Sequence, residues 1–74
     1  MNKERRKSIK KAIRLIEQAA ETLEDIRDEE EESRENLPGG IRYGRIGGQM
    51  QEYIDSINEA IKSLEEADNV LSNI

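Results

Sequence analysis

All five glycines and the only proline of this chain lie within residues 38–48. Glycine adds backbone freedom, and proline removes an N–H donor and clashes with the preceding turn, so both residues tend to end helices. The sequence on either side contains neither residue and is rich in strong helix formers. The 74 residues allow one domain at most, and this pattern predicts that the domain is two long helices joined by one loop.

Apolar residues recur at steps of three and four on both sides of this segment, as is typical of amphipathic helices. We predict helix 1 at residues 3–35, a glycine-rich loop at 36–48 and helix 2 at 49–73. Each apolar stripe covers about half of its helix, which is wider than the seam of a two-stranded coiled coil and suits a bundle. The stripe of helix 1 holds Ile9, Ala12, Ile13, Ile16, Ala19, Ala20, Leu23 and Ile26, with Leu15 at its shoulder; the stripe of helix 2 holds Met50, Tyr53, Ile54, Ile57, Ala60, Ile61, Leu64, Ala67, Leu71 and Ile74.

A single two-helix hairpin has one interface and cannot enclose a core. Chains below roughly 70–80 residues usually need disulfides, a metal or self-association to be stable. This chain has no cysteine and no histidine, which excludes disulfides and zinc sites of the Cys/His type. We therefore predict an all-α fold, a two-helix antiparallel hairpin that assembles into a homo-oligomeric helical bundle.

No apolar run is long enough to span a bilayer or to serve as a signal peptide. The absence of cysteine fits a reducing compartment. We expect a cytoplasmic protein with no membrane partner.

Charge is unevenly distributed along the chain, whose net charge is −5. Residues 1–14 carry seven basic side chains and one acid, whereas residues 15–35 carry ten acids and two arginines. The basic start could grip nucleic acid phosphates, but no aromatic residue is interleaved with its cations and the acidic remainder would repel DNA. A solvated helix end beside an acidic neighbour is the favoured interpretation, so we expect no nucleic acid partner.

The glycine-rich segment is the first candidate for a small-molecule site. Glycine lets backbone N–H groups approach a phosphate, and arginine adds fork-shaped donors. We predict that Arg42 and Arg45 neutralise phosphates, that Tyr43 meets a base or ribose, and that Gly47 and Gly48 donate N–H groups at the start of helix 2. The segment matches neither a Walker A nor a Rossmann fingerprint, and the alternative is a long flexible turn that only joins two helices.

Paired carboxylates are a second candidate. Glu21 and Glu24 form an ExxE pattern and Glu52 and Asp55 an ExxD pattern, which resembles the Mg²⁺ site of all-α nucleoside triphosphate pyrophosphohydrolases. These residues fall on the outward faces of the predicted helices, away from the apolar stripes. Without histidine or cysteine the chain also has no nucleophile–base set. We therefore expect no enzyme activity, no metal and no cofactor.

The acidic run at residues 28–32 allows a different function. Five consecutive carboxylates on an extended helix could imitate a phosphate backbone and occupy a DNA-binding cleft, as acidic helical phage inhibitors do. The alternative to the small-molecule interpretation is therefore an acidic protein-binding inhibitor of a host defence or DNA-binding protein, of the DNA-mimic or anti-CRISPR type. A structural coiled-coil accessory protein is the third interpretation.

The segment from Leu37 to Asp55 resembles part of a group of short, mostly uncharacterised phage and prophage proteins of Firmicutes. Those chains share the layout of a basic start, an acidic run and a final acidic amphipathic helix. The resemblance implies a phage origin, and small phage proteins of this build often act against host defence. It thereby implies an oligomeric sponge that sequesters a cyclic oligonucleotide or an NAD-derived immune signal. The positions that fit are Leu37, Pro38, Ile41, Gly47, Met50, Glu52 and Ile54; those that depart are Gly44, Arg45, Ile46 and Gly48.

Overall fold

The computed structural model describes all 74 residues. Three helices follow one another along the chain: α1 at Lys3–Glu35, α2 at Gly39–Arg42 and α3 at Arg45–Ser72. Helices α1 and α3 pack side by side in opposite directions, and the molecule is a rod with Cα extents of 58 × 15 × 12 Å. The prediction of an all-α hairpin with two long helices is confirmed.

The bounds of α1 match the prediction for helix 1. Asn2 caps its start, because the side-chain Oδ1 accepts the N–H of Arg5 at 2.8 Å. The helix ends at Glu35, where the N–H of Asn36 still donates to the carbonyl of Glu32 at 3.0 Å. Pro38 follows three residues later and cannot continue the helix.

The predicted loop at 36–48 and the predicted start of helix 2 at 49 are wrong. Pro38 is the N-cap of the short helix α2, and its carbonyl accepts two backbone N–H groups at 2.8 and 2.9 Å. Gly44 is extended and caps α3, whose first turn contains Gly47 and Gly48. No glycine has a positive φ, so the glycines of this segment adopt conformations that any residue could adopt. Helix α3 also ends one residue earlier than predicted, at Ser72.

The core of the isolated hairpin is very small. Only Gly47, Ile54 and Ile61 are buried, and the two isoleucines are 2% and 5% exposed. The remaining apolar residues between α1 and α3 are half-buried. Several large apolar side chains lie open on the rod: Leu15, Ile26, Ile46, Tyr53, Val70 and Ile74.

Candidate functional site at the closed end of the hairpin

The closed end of the hairpin, residues 34–48, is held together by an arginine of α1. Arg34 Nε donates to the carbonyl oxygen of Gly47 at 3.0 Å, and a terminal nitrogen of the same guanidinium donates to the carbonyl of Arg42 at 3.4 Å. Both bonds are partly buried. Arg34 therefore ties the last turn of α1 to both α2 and α3.

Position 47 requires glycine because the backbone of α3 passes very close to the backbone of Arg42 at this point. A Cβ built on Gly47 would lie 1.8 Å from the carbonyl oxygen of Arg42 and 2.4 Å from its carbonyl carbon. Gly48 has nothing within 4 Å of its Cβ position, and its N–H donates to the carbonyl of Gly44 at 2.9 Å. The Gly48 N–H is thus used inside the helix, which does not fit the predicted role of a donor to phosphate. Gly47 is buried and allows the close packing of α3 on the backbone of Arg42.

Arg42 turns back onto the end of α1. One of its terminal nitrogens donates to the carbonyls of Glu35 at 2.8 Å and Leu37 at 3.2 Å. These bonds satisfy carbonyl groups near the helix end that have no partner within the helix. Arg42 Nε is buried without a partner, so this guanidinium faces the protein more than the solvent. The predicted phosphate contact of Arg42 does not fit this geometry.

Tyr43 and Arg45 are the two predicted site residues that remain open to a ligand. Tyr43 is 80% exposed, and the Arg42 guanidinium lies 5.8 Å from the centre of its ring. Arg45 is exposed and makes no hydrogen bond or ion pair within the chain. It is the first residue of α3 and lines a shallow open groove with Gly40, Ile41, Gly44, Ile46 and Gln49.

The role of Arg34 was missed by the reasoning from sequence. A usable signal was present, because Arg34 is the basic residue of the last turn of α1, where cations can bond the final carbonyls of a helix. The sequence does not show that its partners lie in α2 and α3.

The carboxylates of the ExxE and ExxD patterns, which were considered as a second candidate, do not line one common groove. Glu21 and Glu24 line an open groove with Glu65 and Asp68 of α3, whereas Glu52 and Asp55 are not part of it. No group of three or more acidic, histidine or cysteine side chains is placed to hold a metal ion. The groove also contains apolar residues between its acids: Ile16, Ala20 and Leu64.

The acidic run has few partners within the chain. The only ion pair joins Arg27 to Asp28 at 3.2 Å, and Arg27 also donates to the side chain of Asn58 at 3.1 Å. The four glutamates that follow, residues 29–32, make no side-chain hydrogen bond or ion pair. Their charge is therefore available to a partner.

Comparison with protein-family models, curated proteins and solved structures gives no match to this chain. The resemblance to phage and prophage proteins thus stays a prediction. None of the helices has both the length and the apolar character that crossing a membrane requires.

Proposed function

We propose that this protein is a non-enzymatic binding protein that assembles with copies of itself and holds a phosphate-bearing, nucleotide-derived ligand at the closed end of the hairpin. A cyclic oligonucleotide or an NAD-derived signal is the expected ligand class, and sequestration of such an immune signal for a phage is the expected role. The observation that carries the proposal is the unpartnered guanidinium of Arg45, two residues along the chain from the exposed ring of Tyr43.

Arg45 differs from the other arginines near it. Arg27, Arg34 and Arg42 each donate to oxygen atoms of the chain, whereas Arg45 donates to none. Its planar fork of donors matches a phosphate, and charge-assisted bonds of this kind are about twice as strong as neutral ones. The N-terminal end of the α3 dipole adds a further favourable field for an anion near Arg45.

Tyr43 supplies a surface for a base. Arg42 lies over one face of the ring, which leaves the opposite face and the edge to solvent. Stacking of a base on an aromatic ring is worth roughly 1–3 kcal/mol in single-stranded nucleic acid complexes. A ligand with both a base and a phosphate would therefore use Tyr43 and Arg45 together.

The test is a binding measurement with a matched pair of variants. Native mass spectrometry and calorimetry would follow binding of cyclic di- and trinucleotides and of ADP-ribose, a product of NAD cleavage. We expect Arg45→Glu to weaken binding at least tenfold, because it replaces the phosphate donor with a repelling charge. Lys62→Glu makes the same charge change at an exposed position of α3 and should bind like the wild type. Absence of binding across the panel, or equal binding by both variants, would contradict the proposal.

A second candidate function is inhibition of a basic host protein. The unpartnered glutamates at residues 29–32 favour it, since they offer a dense row of charge on one helix. This function predicts that reversing the charges of residues 29–32 abolishes capture of a host protein while ligand binding at Arg45 is unaffected. Pull-down with the wild type and the reversed variant measures the difference.

A further inference from the structure

One apolar row of each long helix is left outside the contact between α1 and α3. Residues seven apart on a helix share a row, and rows offset by three and by four positions flank it on opposite sides. Ile16 and Ala20 of α1 and Leu64 of α3 are half-buried, and Ile61 of α3 is buried, so the rows of these residues line the contact. On each helix, the row that follows the Ile16 row or the Leu64 row by three positions therefore faces sideways, out of the contact. Because the two helices are antiparallel, these two sideways rows lie on the same side of the hairpin. This apolar side face contains Ala12, Ala19 and Ile26 of α1 and Ile46, Tyr53, Ala60 and Ala67 of α3, of which only Ala12 and Ala67 are half-buried.

The apolar side face is open along the rod. Ile26, Ile46 and Tyr53 are each between 44% and 59% exposed, and the other positions of the face are alanines. Contiguous apolar patches of this kind mark interaction surfaces in water-exposed proteins. The three buried residues of the hairpin cannot supply the core that a chain of this length needs.

We propose that a second copy of this chain covers the apolar side face, related by a two-fold axis that passes near Ala19 and Ala60, with its long axis antiparallel to the first. This inference rests on the self-association in the proposed function and not on the ligand. The alanines allow close approach of the two hairpins, which together form a four-helix bundle. The rod offers a face of 58 × 15 Å, about the 800 Å² per partner that stable interfaces bury.

Charge complementarity favours a second copy of this chain as the partner, and it favours the antiparallel over the parallel orientation. The start of α1 and the end of α3 form the open end of the hairpin. Residues 1–14 have a net charge of +6 there, and residues 70–74 carry no charged side chain. Residues 28–32 are all acidic and lie towards the closed end. An antiparallel partner places its basic segment alongside this acidic run, whereas a parallel partner places like charges together, which is destabilising.

The antiparallel arrangement also affects the ligand site. The open end of the partner, with the cations of its residues 3–14, comes to lie beside the closed end that carries Tyr43 and Arg45. Phosphates bound there would meet positive charge from both copies. The dimer would then hold two equivalent sites, one at each end of the bundle.

Sedimentation equilibrium of two double variants tests whether the apolar side face is the dimer interface. The wild type should have twice the chain mass of 8.5 kDa at micromolar concentration. Ala19→Glu with Ala60→Glu puts two like charges into the apolar side face and should weaken the dimer at least 100-fold. Gln18→Glu with Asn69→Glu adds the same charges at exposed positions off this face and should leave the dimer intact.

A distance between spin labels tests the orientation. The chain has no cysteine, so Ser8→Cys gives a single labelling site and leaves the residues of the apolar side face unchanged. Ser8 lies 11 residues from Ala19 at the proposed axis, so the helix rise of 1.5 Å places the two labels about 33 Å apart in the antiparallel dimer and under ~20 Å apart in a parallel one. This measurement decides the question even if the glutamate variants fail to fold.

Each outcome bears on a distinct claim. A monomeric wild type would overturn this inference and the self-association in the proposed function, while binding at Arg45 is judged separately by calorimetry. A dimer with closely spaced labels, or one that resists both double variants equally, would overturn the face and orientation alone. A dimer with distant labels that only the first double variant dissociates supports the inference.

Discussion

Replacement of Gly47 by alanine would force apart the two backbones that meet at the closed end. The added methyl carbon would lie 1.8 Å from the carbonyl oxygen of Arg42, where ordinary contact begins at 3.4 Å. The two segments must therefore separate by about 1.6 Å, because neither atom belongs to a side chain that could rotate away. Such a movement also breaks the bond of 3.0 Å from Arg34 Nε to the Gly47 carbonyl.

The free energy of unfolding should fall by about 1.5–5 kcal/mol. Overpacking costs typically ~1–3 kcal/mol. Loss of a hydrogen bond from a charged donor costs ~1.5–3 kcal/mol. The better helix propensity of alanine returns about 1 kcal/mol. Gly48→Ala is the matched control: it has the same propensity gain and no neighbour within 4 Å, so it should raise stability by about 0.5–1 kcal/mol.

Urea unfolding followed by circular dichroism measures both variants against the wild type. Protein concentration must be equal in all three samples, because self-association makes apparent stability depend on concentration. We expect the order Gly48→Ala, wild type, Gly47→Ala from most to least stable. If Gly47→Ala is as stable as the wild type, the close approach of Gly47 to Arg42 does not exist in solution.

Three further variants test the contacts that hold the hairpin. Arg34→Met keeps the length of the side chain but removes its donors, so amide exchange at the closed end should speed up while the centre of α3 stays protected. Ile54→Ala removes the most deeply buried side chain and should cost about 2–4 kcal/mol in urea unfolding, whereas Val70→Ala, at a 66% exposed position, should change stability by less than ~0.5 kcal/mol. Asn2→Ala removes the cap of α1 and should cost about 1 kcal/mol, seen as lost helicity and faster exchange of the Arg5 amide.

The extent of α1 could be predicted because its determinants are local. Asn2 is a good cap, the residues up to Glu35 include no glycine or proline, and Pro38 follows. The start of α3 could not be predicted in this way. Gly47 lies in a helix because its missing side chain lets the backbone of Arg42 approach, and that neighbour is known only once the chain has turned back.

The candidate site was predictable only in part, for the same reason. Arg42 and Arg45 look equivalent in the sequence, since both are cations in a glycine-rich segment that contains no acidic residue. In the structure Arg42 bonds to the carbonyls of Glu35 and Leu37, whereas Arg45 lies outside the turn and keeps its donors free. The difference comes from the direction in which α2 and α3 leave the turn, which no single residue encodes.

The hydrogen bonds of the closed end also lead us to expect a particular order in which the hairpin forms. They join residues only 5 to 13 positions apart, whereas the bond from Arg27 to Asn58 closes a loop of 31. The entropy lost on closing a loop grows with its length, so the shortest loops close first. The hairpin should then zip from the turn towards its termini. Substitutions near Arg34 would slow refolding, and substitutions near the termini would mainly speed unfolding.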